Sequence, residues 1–139
     1  MSNIHTPTDN VLVKPSFNTA ITAATNTGSA VDTLGYENAL CIFYSAPSGS
    51  GTTSDCKLQD STASGSGFAD VSSATFTQVT TAGGAKVETM NVKLSKRNRY
   101  LKLVHTGAGG SAAGQAMGII VLFNGRYRAP SQDVTPVSV

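Results

Sequence analysis

The side chains able to do chemistry are few and scattered along the 139 residues. Histidine occurs twice, His5 near the start and His105 at the end of a predicted strand, where it reads as a partly exposed strand residue. General acid–base work needs two titratable groups held in different environments. Asp55 and Asp60 instead flank one short segment and read as strand-end and turn residues. Serine is abundant, yet no Gly-x-Ser-x-Gly elbow is followed by a histidine and an acid. Gly107–Gly110 is glycine-rich but lacks the Lys-Ser/Thr of a phosphate loop and opens no helix. Cys41 and Cys56 show neither a CxxC spacing nor a Cys/His metal spacing. On adjacent strands of a hairpin they could pair only in one register. Their apolar neighbours favour buried free thiols instead. These residues predict a protein without catalytic centre, cofactor or metal.

What the sequence does concentrate is positive charge. Lys96, Arg97, Arg99 and Lys102 lie within seven residues, in a polar turn that runs into Tyr100–Val104. The net charge is only +2, but eight of the ten Lys and Arg residues lie from Lys86 onward, against two of the eight acids. Such a basic half suits an acidic protein surface or a phosphate backbone, and equally a solvated strand face. Single-strand nucleic-acid binders add exposed aromatics for stacking. Here Tyr100 and Tyr127 sit beside Arg99, Arg126 and Arg128, but there is no Trp and the few aromatics are needed for a core. No nucleic-acid partner is expected. The candidate contacts to a partner protein or sister subunit are Lys96, Arg97, Arg99, Arg126 and Arg128, with the small apolar handle Val11, Leu12 and Val13 in an N-terminal arm.

The elements that must position these residues are strands. Charged residues make up 13% of the chain, about half the usual share, and Ser, Thr, Gly and Ala fill the gap. Those residues suit strands and turns and are poor helix interiors. Leu101 and Leu103 alternate with Tyr100, Lys102 and Val104, the period of a half-buried strand. Ala39–Ser45 is apolar on both faces, as a central sandwich strand is, and Gln115–Phe123 is another strongly apolar strand. Cys56 and Leu58 alternate with Lys57 and Gln59. Lys86–Leu94 switches parity midway, which predicts a bulge. Gly83-Gly84 and Asn124-Gly125 are turn signals. The count is seven or eight short strands with no helical period. This predicts an all-β fold, a single antiparallel β-sandwich or jelly-roll-like barrel with extended terminal arms. The expected division is an arm over 1–15, a sandwich over 16–130 and a tail over 131–139. Neither a signal peptide nor a membrane span is expected, since the longest apolar run, Met117–Phe123, is far too short.

Three blocks in order carry a resemblance: Val31–Glu37, Lys57–Ser61 with Phe68–Val71 after a Gly-rich loop, and Lys96–Val104. Together, over residues 30–130, they resemble a group of small head proteins of tailed bacteriophages and prophages, which also end in a segment like Arg126–Pro130. The chain departs from that pattern at Lys57–Ser61, where relatives more often carry a second acid. The resemblance implies a capsid decoration, or cement, protein. Such a protein is made in the host cytoplasm, binds the major capsid protein on the outside of the virion, and is a homo-oligomer, trimer or dimer. The alternative is a head-fibre base or tail component whose loops, 46–54, 61–67 and 107–114, form a receptor- or glycan-binding face.

Overall fold

The computed structural model describes residues 11–125. They form ten antiparallel strands in two sheets, a β-sandwich. The first sheet has the order β1 (Leu12–Ala20), β10 (Ala113–Gly125), β4 (Tyr36–Ser48), β8 (Lys86–Lys93). The second runs β2 (Thr25–Thr27), β9 (Tyr100–Ala108), β5 (Thr53–Ser61), β6 (Ala69–Thr75), with β3 (Val31–Asp32) also on β9 and β7 (Val79–Thr80) also on β5. Three of the ten strands have only two or three residues, so seven longer ones carry the architecture. Helix is confined to two 3-10 turns, Thr81–Gly83 and Leu94–Lys96, among the described residues.

Alternation decides which residues meet between the sheets. In β4 the inward positions are Ala39, Cys41, Phe43 and Ser45; in β10 they are Ala116, Gly118, Ile120 and Leu122. From the second sheet come Ser54, Cys56 and Leu58 of β5 and Leu101, Leu103 and His105 of β9. Each fully buried Leu, Ile or Phe contributes roughly 1.5–3 kcal/mol relative to exposure.

Several expectations are corrected. The arm does not extend to residue 15, because Leu12–Pro15 pair with Leu122–Ile119 of β10. No bulge interrupts β8, which pairs with β4 without a shift from Lys86 to Lys93. Its parity looks mixed because β8 is an edge of which three inward positions, Glu88, Met90 and Val92, are only partly covered and the fourth, Lys86, is exposed. Bulges occur instead at Pro15/Phe17 and Lys57/Gln59. The first lets neighbours Ser16 and Phe17 both turn inward, which plain alternation forbids. Ser16 Oγ then accepts the Leu103 N–H across the sandwich at 3.1 Å.

Gly118 lies between Phe17 and Phe43 on the flanking strands, whose ring centroids are 6.4 Å apart over it. A Cβ there would strike the Phe17 ring and fall 2.9 Å from Leu103 Cδ1. Gly118→Ala is therefore expected to destabilise the fold by about 2 kcal/mol through overpacking, measured by urea unfolding. An unchanged midpoint would show that the rings yield freely.

Candidate functional site

The two cysteines lie on different sheets, Cys41 on β4 and Cys56 on β5, rather than in one hairpin. Both are free and buried. Burial pushes the Cys41 thiol up to about 12, and burial together with nearby Cys41 pushes Cys56 up as well. Neither is a nucleophile near neutral pH, since the thiolate is the reactive form.

The arrangement nearest to catalytic geometry is Ser45, Ser54 and His105. Ser45 Oγ donates to Ser54 Oγ at 2.7 Å, and Ser54 Oγ lies 2.8 Å from His105 Nε2. A serine within hydrogen-bond reach of histidine is the geometry of an activated nucleophile, but the base must be oriented by a third group. Among the described residues no acid does so, for Nδ1 is buried without a partner. All three residues are 0% exposed, so no substrate reaches them. The chain of hydroxyls is a polar bridge between β4 and β5–β9, packed beside Phe17 and Phe43 at ring distances of 5.6 and 6.2 Å. Burial holds the His105 imidazole below its ordinary pKa, with the Asp55 charge opposing the shift. The expectation of a partly exposed His105 is overturned. Leu101, Leu103 and His105 share one parity, and β9 continues past His105 to Ala108.

The basic turn is positioned by the three sequence blocks: Val31–Asp32 of the first, Lys57–Val71 and Lys96–Val104 come together on neighbouring strands β3, β5, β6 and β9, while Tyr36 and Glu37 of the first begin β4 in the other sheet. Leu94, 8% exposed, anchors the 3-10 turn, and the Arg97 N–H closes it on the Leu94 carbonyl at 3.0 Å. Asp60, 8% exposed, accepts from the Asn98 N–H and from the Asn98 side-chain amide, both at 3.0 Å, and lies 3.6 Å from the Arg97 guanidinium. Arg99 donates twice to Asp32, from Nε at 2.8 Å and NH2 at 2.7 Å. That fork holds the Asp32 carboxyl below the usual range and raises Arg99. Asp32 also accepts the Leu34 N–H at 3.0 Å, an Asx turn that leads to Gly35 at φ 90°. Asp70 completes the network, taking Lys57 at 2.8 Å and Gln59 at 2.7 Å.

Of the cations expected to face a partner, Arg97 and Arg99 thus meet carboxylates of their own chain. Lys96 is exposed and finds no acid among the described residues. Lys102 sits 4.0 Å over the Phe68 ring. Leu12 is not an exposed handle but part of the core at 7% exposure, while Val11 and Val13 are half-buried. Arg126 and Arg128 lie outside the described residues, as do residues 1–10 of the arm and the tail 131–139.

Sequence reasoning passed over Lys93. Three cavities meet around it. One of about 720 Å³ lies between Leu34–Asn38 and Lys93–Ser95, with Leu34 67% exposed on its rim. Two of about 280 Å³ flank the edge strand: an inner one over Leu58, Ala74, Met90 and Val92, and an outer one bounded by Asn91, Lys93 and Phe123. The only legible signal was the pair Met90 and Val92, apolar at alternate positions of a strand rich in polar residues.

The loops do not make one face. The turns 49–52 and 109–112 come together at one end, Thr52 Oγ1 lying 3.5 Å from the Ser111 carbonyl. Residues 62–67 follow the other end of β5, whose nine residues span about 27 Å. Among the described residues no three His, Cys, Asp or Glu side chains gather as a metal site, and no helix is long and apolar enough to cross a membrane. No protein-family model matches this chain, and a search of curated proteins finds no similar sequence.

Proposed function

We propose that this chain is a structural protein of a tailed-phage virion, a decoration protein that binds the outer surface of the capsid through the major capsid protein. It acts by protein–protein contacts, as a homo-oligomer and without catalysis. The observation that carries the reading is the convergence of the three blocks of the resemblance. Val31–Asp32, Lys57–Val71 and Lys96–Val104 are distant in sequence but adjacent in the second sheet, Asp32–Arg99 and Asp60–Asn98 joining one block to another and Lys57–Asp70 tying the two halves of the middle block. Segments distant in sequence that are tied into one rigid surface suit a scaffold that presents a fixed face. A sandwich whose Ser–His pair is buried and whose cations are braced by carboxylates supports attachment better than turnover.

The separation of the loops argues against the alternative of a receptor- or glycan-binding loop face. Such a site concentrates its contacts, whereas segments 49–52 and 62–67 lie at opposite ends of β5.

The test is electron cryomicroscopy of virions from the phage or prophage carrying this gene, with and without it. Density on the outer capsid surface that disappears with the gene is expected. Unaltered heads with density missing from the tail would replace this reading by the tail component, and particles unchanged throughout would refute both.

A further inference from the structure

Among the described residues β8 is an edge of the first sheet, and it is built unevenly. Its inner positions Lys86 and Glu88, opposite Ser45 and Phe43, carry charge. Inward charges at a sheet edge discourage another strand from pairing there. At the other half the inner positions are Met90 and Val92, half-buried and packed on the core. That half has no such guard, no proline and no bulge. Cavities lie on both of its faces. The inner one is floored by Leu58, 0% exposed, and Ala74, 7% exposed; the outer one is bounded by Asn91, Lys93 and Phe123. Lys93 and Lys96 stand beside them, exposed and with no acid bound among the described residues.

From these features we infer that Met90–Lys93 is a strand-addition site for an extended peptide segment in which apolar residues alternate with acidic ones. A strand added to an edge gains affinity from main-chain hydrogen bonds, and specificity from pockets for alternate side chains. On this edge an apolar side chain of the incoming strand turns inward over Leu58, Ala74, Met90 and Val92. Its neighbours turn outward, where a carboxylate meets Lys93. Lys96, at the mouth of the inner cavity, favours an acid at the end of the segment. The charge pattern also excludes an incoming strand rich in lysine. The inference does not rest on the virion reading, because it concerns the chemistry of the edge wherever the protein resides.

The test is an NMR titration of the isotopically labelled full chain with a blocked hexapeptide alternating valine and glutamate. Saturable shifts centred on the amides of Met90–Lys93 and on Ala74 are expected. A valine–lysine peptide should not bind. A valine–glutamate peptide N-methylated at alternate residues should bind on the order of ten-fold more weakly, having lost its main-chain donors. Lys93→Glu with Lys96→Glu, both exposed positions that leave the core intact, should weaken binding similarly. Shifts spread over all basic residues, or equal binding of the N-methylated peptide, would overturn the proposal in favour of plain charge attraction. If β8 is instead occupied by a second copy, sedimentation will show a dimer that the peptide does not dissociate and that Val92→Pro disrupts, and the proposal fails in favour of self-pairing. Failure of the titration leaves the virion imaging result untouched, so the two readings fall separately.

Discussion

Acidification below about pH 6.5 is expected to destabilise this sandwich. His105 is neutral in the folded chain, where burial lowers its pKa from 6.5. In the unfolded chain it titrates normally. As the pH falls through that value the unfolded state binds a proton that the folded state does not. Stability is thus fully present above about pH 6.5 and declines at up to about 1.4 kcal/mol per pH unit, until the lowered folded pKa is reached. The structural reason is that a protonated ring would carry a charge among Phe17 and Phe43, with Nδ1 lacking any acceptor among the described residues. Asp32 acts in a separate window. Its depressed pKa contributes stability above 3.8 that is lost only as the pH falls further.

Urea unfolding of the natural chain and of His105→Phe across this range isolates the effect. The phenylalanine fills the ring's place and removes its titration, so the acid limb between about pH 6.5 and 5 should flatten, at a cost of about 1–3 kcal/mol for the unsatisfied Ser54. His105→Ala should cost about 3–5 kcal/mol at neutral pH, by loss of ring packing and of the bond to Ser54. Identical acid limbs in the natural chain and His105→Phe would remove His105 as the cause.

Asp60→Ala is expected to destabilise the fold by about 3 kcal/mol, whereas Asp32→Ala should cost less than about 1 kcal/mol. Both carboxylates face an arginine, but their surroundings differ. The Asp60 side chain is 11% exposed and satisfies the Asn98 N–H and amide as well as Arg97. Its removal leaves a main-chain donor and a half-buried cation without partners. The Asp32 side chain is 44% exposed and its Arg99 partner 46%, so water replaces most of what the pair provides. Chemical denaturation of the two variants makes the comparison. Asp60→Ala should also loosen Arg97–Arg99, read as faster amide exchange at Asn98. Equal losses in the two variants would show that Asp60 does not hold the turn.

The class of fold was legible in the sequence because strand alternation is a local property. Leu101 and Leu103, Cys56 and Leu58, and the apolar runs at 39–45 and 115–123 each declare a buried face without reference to any neighbour. The same periodicity, carried two residues further, would have turned His105 inward. The boundary at Leu12 and the continuity of β8 were not legible, because they depend on which strand lies alongside. Leu12–Pro15 read as an arm until β10 is placed beside them. The split parity of Lys86–Leu94 read as a bulge until the strand is seen as an edge, half uncovered.

Charge is where tertiary structure decided most. The sequence determined that Lys96, Arg97 and Arg99 would cluster. It could not determine which remain available, because their partners come from far along the chain: Asp32 is 67 residues from Arg99, and Asp60 is 38 from Asn98. Composition alone therefore fixes the number of cations in the turn. Which of them stay without a carboxylate among the described residues is set by the sheet that brings β3 and β5 alongside β9, leaving Lys96 exposed, with Lys93 exposed on the neighbouring edge.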